Sequence, residues 1–266
     1  MELMHAEQTE LLRRAFYDVH NEVGLGRQEE AYHQALKLWF ADSSLPVASR
    51  PPHRLSLRGV EAHVLFPDFV GWDVLSVEIK AVPRKLYPSE WVQARDYMKC
   101  RQEALGLLVN FGLDRVCVER VIHTPQATIL EEQWEHWQGQ ITGADREVGV
   151  AVRDALRQVY AEHSTGYGLE VVSKLILKSL SLQKLSVTVN PIATATFRQQ
   201  VVDESPLDCL IVDDRILIAF TSLFDSNAFN VSRGLSFMKA LGLSWGVAVN
   251  FGRDKAEFQG LKVSRS

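Results

Sequence analysis

The order of elements in this sequence repeats after 140 residues, which constrains the fold more than any other feature. Asn110-Phe111-Gly112 recurs as Asn250-Phe251-Gly252, and Gly26 is matched by Gly166 or, with a slip of two residues, by Gly168. Self-similarity at a fixed period indicates that a chain is built of repeated structural units. A length of 266 residues allows two modest domains. We therefore predict residues 1–140 as one domain and residues 141–266 as a second copy of it.

The spacing of apolar residues predicts alternating helices and strands in the first copy. Helices are predicted at about 6–22, 27–40 and 88–104, and strand-like runs at 53–57, 60–69, 73–82, 105–111 and 116–122. Two helices, three strands, a helix and further strands predict an α/β fold, with a mixed sheet flanked by helices in each module. The segment 131–143, which contains Trp134 and Trp137, is interpreted as a linker helix or brace.

The stretch 64–81, VLFPDFVGWDVLSVEIKA, holds the candidate chemistry of the first copy. Side chains alternate along a strand, so Glu78 and Lys80 project to the same side. A hairpin through residues 71–73 would fold Asp68 back beside Glu78. Two carboxylates and one ammonium would then converge, and Mg²⁺ prefers a few oxygen ligands with room for water and phosphate.

A second interpretation of this stretch is a solvated strand edge and an ordinary Pro-Asp turn. Two observations favour the metal site. Glu78-Ile79-Lys80 is the only Glu-x-Lys or Asp-x-Lys in the chain. It also lies in one of the most apolar strands, where an unpaired charge is costly and normally needs a partner.

Several short motifs of the first copy together resemble a known family. In chain order they are Gly26-x-x-Glu29-x-x-Tyr32, Asp68, Glu78-x-Lys80, Gln93-x-x-x-Tyr97 and Asn110-Phe111-Gly112. This order resembles the GxxExxY proteins of the PD-(D/E)XK nuclease superfamily, over about residues 11–121. The resemblance implies tandem αβββαβ nuclease-like modules in which Asp68 and Glu78 hold Mg²⁺ or Mn²⁺ and Lys80 handles the attacking water.

The resemblance also implies roles for side chains outside this stretch. Glu29 would be a further metal or water ligand, Gln93 and Tyr97 would flank the site, and His20 matches a family position. The implied reaction is hydrolysis of phosphodiester bonds, and the implied partner is nucleic acid, DNA rather than RNA. A group of basic side chains after the site would hold the phosphate backbone or, alternatively, form a solvated helix face: Arg84, Lys85, Arg95, Lys99 and Arg101.

The second copy keeps the apolar pattern but loses the chemical side chains. The offset of 140 pairs Asp68 with Asp208, Gln93 with Arg233 and Tyr97 with Phe237. One extra residue in the turn before the central strand pairs Glu78 with Ala219 and Lys80 with Thr221, and Glu170, at an offset of 141, is matched with Glu29. A working site is therefore predicted in the first copy only. Because a duplicated fold usually inherits the interface of a homodimer, we expect the copies to pack as an intramolecular pseudo-dimer.

Composition sets limits on these interpretations. The net charge of −4 and pI near 6.1 exclude an overall basic nucleic-acid-binding protein, so such contacts need a local patch. An alternative function is therefore a catalytically inactive module that binds nucleic acid or assembles with a protein. Three cysteines without a C-x-x-C motif and the absence of a long apolar run predict a cytoplasmic protein without membrane contact.

Overall fold

The computed structural model describes residues 4–264 and divides them into two compact units. The first unit contains the described residues up to Leu55 together with His63–Pro125. The second contains Ser56–Ala62 and the described residues from Gln126 onward. The first unit thus ends at Pro125, whereas the sequence predicted a boundary at residue 140. Each unit has its own main sheet and its own buried core.

The first unit has the predicted mixture of helices and strands. In chain order up to Pro125 the elements are α1 Ala6–Val23, α2 Glu29–Asp42, β1 Val47–Ser49, β2 His53–Leu57, β3 Val60–Leu65, β4 Phe69–Gly71, β5 Leu75–Lys80, α3 Pro88–Arg101, β6 Leu105–Asn110 and β7 Cys117–Ile122. The tip of the β2–β3 hairpin, Ser56–Ala62, groups with the second unit. The five-stranded sheet has the order β1-β4-β5-β6-β7, and only β5 and β6 are parallel neighbours. β2 and β3 form a separate two-stranded sheet.

Helices cover both faces of the five-stranded sheet. α1 buries Leu12, Phe16 and Val19, whose spacing places them on one face of a helix, in a core shared with α2 and with Val77 and Ile79 of β5. On the opposite face, α3 packs through Ala94 and Met98 against Leu108 and Val121. β5 is therefore covered on both sides, which explains why its side chains are almost all buried.

The structure differs from the predicted elements at three points. The run 60–69 is two strands in different sheets, because Pro67 has no N–H for a ladder and interrupts the run. β1 is only three residues long, too short to give a periodic pattern. α3 ends at Arg101 rather than near residue 104, because Gln102 adopts a left-handed backbone conformation with φ of 58°.

The second unit repeats this order of elements and adds one strand. Its elements are β8 Ile129–Gln133, α4 Gly143–His163, α5 Leu169–Leu182, β9 Val187–Val189, β10 Ile192–Phe197, β11 Gln200–Pro206, β12 Leu210–Val212, β13 Ile216–Ser222, α6 Ala228–Leu241, β14 Trp245–Phe251 and β15 Lys255–Lys262. The six-stranded sheet has the order β8-β15-β14-β13-β12-β9, with β10 and β11 paired separately. Strand β8 is the addition, and it lies parallel to β15.

The interpretation of residues 131–143 as a linker helix is wrong. Part of this segment is strand β8, and the Trp137 that follows it is buried in the second unit, where its Nε1 donates to the Leu261 carbonyl at 3.1 Å. Gly149 and Gly260 make room for the indole, since a Cβ at either position would lie 2.9 Å from it. The segment therefore belongs to the fold of the second unit.

No described helix is both long and apolar enough to cross a bilayer.

Candidate active site

The turn between β4 and β5 brings Asp68 beside β5, as the sequence predicted. The strands are antiparallel with Phe69 opposite Val77, and the turn residues Trp72 and Asp73 have φ of 51° and 58°. Two left-handed residues are typical of the tight turns that match the twist of a hairpin. Asp68 then accepts a hydrogen bond from the Ile79 backbone N–H through Oδ2 at 2.9 Å. Its carboxylate is thereby fixed to the strand that carries Glu78.

Glu78 and Lys80 form a close, largely buried pair. The Lys80 Nζ lies 2.5 Å from Glu78 Oε1, and the side chains are 13% and 3% exposed. Neighbouring elements cover this end of β5. The second carboxylate oxygen of Glu78, Oε2, is buried without a hydrogen-bond partner among the described residues. A buried acceptor of this kind is costly to maintain.

Burial and neighbouring charges set the protonation of Glu78 and Lys80. Desolvation, followed by the negative charge of Asp68, raises the pKa of Glu78 to about 8. Burial alone would lower the pKa of Lys80, but Glu78, Glu29 and Asp68 together raise it above its ordinary value. Lys80 is therefore a cation at neutral pH.

Glu29 lies at the first position of α2 and faces the same group. Its Oε2 is 3.9 Å from Lys80 Nζ, and its side chain is 43% exposed. Burial raises the pKa of Glu29, Lys80 opposes the shift, and Asp68 adds to it. Tyr32, the last residue of the Gly-x-x-Glu-x-x-Tyr motif, donates its hydroxyl proton to the Gly24 carbonyl at 2.7 Å and stacks on Phe111. Tyr32 thus fixes the turn from which Glu29 projects.

Gln93 and Tyr97 lie on α3 as predicted, on one face of the helix. Gln93 Nε2 donates to the Tyr97 hydroxyl oxygen at 2.9 Å. Burial and the charge of Glu78 both raise the pKa of Tyr97, so the hydroxyl keeps its proton. Gln93 itself is exposed. The structure therefore brings a neutral hydroxyl and an amide to the border of the carboxylate group.

Two further motif elements support the backbone around the site. The His20 Nε2 lies 2.9 Å from the carbonyl oxygen of Leu113, which ties α1 to the loop after β6. Asn110 accepts hydrogen bonds from the N–H groups of Val82 and Gly112 at 3.0 Å. A Cβ at Gly112 would lie 2.4 Å from the Val82 backbone. These residues hold the segment that follows Lys80.

Some of the basic side chains that were predicted to contact phosphate are instead paired with carboxylates of the same unit. Arg101 is 8% exposed and pairs with Glu103 and Asp73, so it stabilises the fold and is not a phosphate contact. Arg84 pairs with Glu90 at 2.7 Å and lies over the Tyr87 ring. Burial lowers the pKa of Lys99 to about 8. Lys85 and Arg95 are exposed, and they stay candidates for phosphate contacts.

Sequence reasoning missed two side chains beside Asp68. The Arg50 N–H donates to the Asp68 carbonyl at 2.9 Å, and its guanidinium Nε lies 4.0 Å from Asp68 Oδ1. The His33 ring stacks on Phe69, with Nε2 3.4 Å from the Asp68 carbonyl oxygen. Neither residue belongs to a short motif. Arg50 is near Asp68 because β1 pairs with β4, and His33 is near it because α2 packs on β4 through Phe69.

The donor set at this place suits a cation that is completed by other ligands. Among the described residues, no group of three or more His, Cys, Asp or Glu side chains is arranged to hold a metal ion. Asp68 and Glu78 supply two carboxylates, and Glu78 Oε2 is a buried acceptor that no described residue satisfies. Mg²⁺ is usually held by one or two carboxylates, several waters and substrate phosphates. The residues present therefore fit a divalent cation.

Comparison with known proteins gives the family. A family model of the PD-(D/E)XK nuclease superfamily matches residues 6–121 and again residues 146–262. The chain belongs to the PD-(D/E)XK nuclease superfamily. The two matches agree with the tandem duplication that the sequence predicted.

Other comparisons add little to this assignment. A comparison with curated proteins found no match. A solved structure described as "Crystal structure of SSO0001" is similar at 14% identity, with a TM-score of 0.30, over 46% of this chain. This chain spans 61% of that structure, and a likeness at this level supports no argument about fold or function.

Strand register identifies the counterpart of the PD-(D/E)XK site in the second unit. Ala219 pairs with Ala248 as Glu78 pairs with Leu108, and Thr221 pairs with Asn250 as Lys80 pairs with Asn110. The predicted correspondence of Glu78 with Ala219 and of Lys80 with Thr221 agrees with this register. The second unit therefore has neither the glutamate nor the lysine on its central strand.

The predicted match of Asp68 with Asp208 is wrong by one residue. Phe69 pairs with Ser49 as Leu210 pairs with Val189, so Cys209 has the place of Asp68. The sequence placed the extra residue in the turn before β13. The structure has a register shift at a bulge between β10 and β11, near Val202, and this precedes Asp208.

The helix start of the second unit corrects a further match. α2 begins at Glu29 and α5 begins at Leu169, and both have 14 residues. Leu169, rather than Glu170, is therefore the counterpart of Glu29.

Proposed function

We propose that this protein is a divalent-metal-dependent nuclease of the GxxExxY type that hydrolyses nucleic-acid phosphodiester bonds with the first unit only. The substrate we propose is DNA rather than RNA, and the cation is Mg²⁺ or Mn²⁺. The observation that carries the proposal is the buried Glu78 Oε2, an acceptor without a partner beside a second fixed carboxylate. A fold does not maintain such a group for stability, because satisfying or removing it would be favourable.

We assign the residues the following roles. Asp68 and Glu78, with Glu29 as a further metal or water ligand, would hold the cation. A bound divalent cation lowers the pKa of its water and stabilises negative charge on phosphate oxygens. Lys80, whose pKa is raised by its acidic neighbours, would donate to a phosphate oxygen or orient the attacking water. The protonated Tyr97 hydroxyl and the Gln93 amide would position the substrate.

Lys80 supplies a positive charge, which the carboxylates cannot supply. The transition state of phosphodiester hydrolysis places additional negative charge on the phosphate oxygens, and fixed positive donors stabilise that charge. Lys80 is already held in place by Glu78, so little reorganisation is needed. The role of a positioned cation therefore fits the raised pKa of Lys80 better than the role of a general base.

The residues of the second unit favour a function of its own, which is binding without catalysis. Ala219, Thr221 and Cys209 replace the three central side chains, so a cleavage site has no basis there. A wholly inactive binding or assembly protein remains the alternative for the chain. The overall acidic charge favours that alternative, since it gives no general attraction for nucleic acid.

We further propose that the units are domains, with the boundary near Pro125, that pack as an intramolecular pseudo-dimer in a cytoplasmic protein. The three cysteines are free, which suits a reducing compartment. A 1–140 fragment should then be less stable than the same residues in the full chain, by thermal melting. A 1–140 fragment that is monomeric, folded and fully active would contradict the pseudo-dimer.

A cleavage assay tests the nuclease proposal. End-labelled single- and double-stranded DNA and RNA are incubated with the full chain and Mn²⁺ or Mg²⁺, beside EDTA controls. Asp68→Ala and Glu78→Ala should abolish cleavage, whereas Asp208→Ala, which removes an exposed carboxylate of the second unit, should not. Cleavage that survives in both first-unit variants would overturn the assignment.

A further inference from the structure

A pocket of about 500 Å³ lies in the second unit, apart from the residues that replace the catalytic group. It is formed by the turn after β8 and by the first part of α4. Its aromatic side is formed by Trp134 and Trp137, and its α4 side includes Arg146, Val150 and Arg153. A pocket of this size is within the range that holds a small ligand or one unit of a polymer.

The aromatic side of the pocket is held rigidly. Trp137 is fixed by its hydrogen bond to Leu261 and by the close approach of Gly149 and Gly260. Trp134 lies against Trp137, with ring centroids 4.9 Å apart, and its Nε1 donates to Glu132 Oε1 at 3.1 Å. Arg157 binds the same Glu132 carboxylate at 2.6 Å. The indole surface is therefore preformed and needs little ordering when a ligand binds.

The α4 side of the pocket carries two arginine side chains. Arg146 and Arg153 are seven residues apart on α4, which places them on one face of the helix. The Arg146 side chain has no hydrogen bond or ion pair with any described residue. The Nε of Arg153 is buried without a hydrogen-bond partner, and the nearest carboxylate oxygen, of Asp154, is 4.0 Å away. None of the described residues that line the pocket is acidic.

These features together define the chemistry of the ligand. A rigid indole surface favours a planar aromatic group, because stacking needs a flat partner. Two guanidinium groups favour a phosphate, which they can bind through paired hydrogen bonds. A nucleotide unit combines a planar base with a phosphate at short distance. A peptide or an apolar small molecule would leave the arginine charges uncompensated.

We propose that this pocket binds one nucleotide of a single-stranded nucleic acid, with the base on Trp134 and the phosphate at Arg146 and Arg153. The proposal rests on the proposed function, since it takes the ligand to be the substrate class of the first unit. It gives the second unit a role of its own, which is to hold a strand. Binding at this pocket does not require the carboxylates of the first unit or a metal ion.

The test measures binding without cleavage. Anisotropy of fluorescein-labelled dT₁₂ is titrated with the full chain in EDTA at fixed salt. Trp134→Ala and the double variant Arg146→Ala, Arg153→Ala should each weaken binding about tenfold, because stacking and phosphate contacts are lost. Trp134→Phe should keep most of the affinity. Arg198→Ala, which removes an exposed arginine of the same unit outside the pocket, should change nothing.

A second variant protects the test against loss of folding. Val150→Glu adds a negative charge at an exposed position of the pocket and should weaken binding without changing the melting temperature. Competition by millimolar dTMP would mean that one nucleotide suffices. Weakened variants without dTMP competition would mean that neighbouring phosphates contribute. Wild-type affinity in Trp134→Ala, in the double variant and in Val150→Glu, or no binding of dT₁₂ by the wild type, would overturn the proposal.

The outcome is separate from that of the nuclease proposal. If no metal supports cleavage but the pocket variants still weaken binding, the nuclease function fails and the pocket stands. If cleavage depends on Asp68 while the pocket variants bind normally, the pocket fails and the nuclease function stands.

Discussion

The two units share a fold and differ in what their central parallel strand carries. β5 presents Glu78 and Lys80, a charged pair with an unsatisfied carboxylate oxygen. At the same positions β13 presents Ala219 and Thr221. Thr221 accepts a hydrogen bond from Asn230 at 2.6 Å, and Asn230 in turn binds Arg233. The second unit has a network of a hydroxyl, an amide and an arginine where the first has a buried glutamate and lysine.

This difference separates structural residues from chemical ones. Asn110 and Asn250 hold the segment after the central strand in their own units, through Val82 and Phe224 respectively. Glycine follows two residues later in each, because a side chain there would meet that backbone. The motif that recurs in both copies therefore maintains the fold. The side chains that do not recur are the ones that stability alone does not require.

Loss of Lys80 should have the largest effect on the cleavage rate, and it tests the difference between the two units. In Lys80→Ala, cleavage should fall at least about a hundredfold, because a fixed cation near the phosphate is removed. The measurement is the single-turnover rate with Mn²⁺, with the melting temperature as a check on folding. Thr221→Ala at the matched position of the second unit is the control and should cleave normally. Equal rates in wild type and Lys80→Ala would contradict the assignment.

The ionisation of Glu78 should make the metal-free protein sensitive to pH. The pKa of Glu78 is higher in the folded state than in the unfolded state. Its neutral form therefore contributes stability in full below the unfolded-state pKa, and this contribution is lost as the pH rises through about 8. Glu78→Gln in EDTA should therefore gain stability relative to wild type between pH 5 and pH 9, on the order of 2 kcal/mol.

Glu90 provides the opposite case as a control. Its hydrogen bond from Arg84 lowers its pKa, so Glu90→Gln should show no rising advantage over this pH range. Denaturant unfolding at each pH gives both comparisons. A stability difference between Glu78→Gln and wild type that is constant from pH 5 to pH 9 would show that Glu78 is not titrating there.

Tyr32 should have a smaller effect, through the position of Glu29. Tyr32→Phe keeps the ring on Phe111 and removes the hydroxyl that binds Gly24. We expect a loss of about 1 kcal/mol in unfolding free energy, the value of one partly buried hydrogen bond. Cleavage should fall less than in Lys80→Ala. A stability unchanged by the substitution would show that the hydroxyl does not hold this turn.

Asp208 should have the smallest effect of all. Its side chain is 64% exposed and the register gives the place of Asp68 to Cys209. Asp208→Ala should therefore leave cleavage unchanged in the same single-turnover assay. Loss of cleavage would mean that the second unit takes part in the chemistry.

The sequence predicted local features well and spatial ones less well. The helix near 6–22 and the hairpin that brings Asp68 to β5 depend on periodicity and on a Gly-Trp-Asp turn, which are local signals. Arg50 approaches Asp68 because β1 pairs with β4, and a three-residue strand gives no pattern. His33 approaches it through the packing of α2 on Phe69, which is a tertiary contact. The bulge near Val202 shifted one alignment by a residue, since an offset in sequence does not report strand register.

Burial was the second source of error. The pattern of β5 correctly put Glu78 and Lys80 on one side, but it did not indicate that this side would be covered too. Arg101 was read as a surface cation because it ends a helix, whereas Glu103 and Asp73 neutralise it under the surface. Trp134 and Trp137 were assigned to a linker because β8 is an addition that the first copy does not contain.

The central claim is that one unit of the pair holds a catalytic cation and the other does not. Calorimetric titration of the full chain with Mn²⁺ tests it directly, beside Asp68→Ala, Glu78→Ala and Asp208→Ala. We predict binding in the wild type and in Asp208→Ala, and its loss in both variants of the first unit. Binding that persists in Asp68→Ala and Glu78→Ala, or the absence of binding by the wild type at millimolar Mn²⁺, would contradict the account.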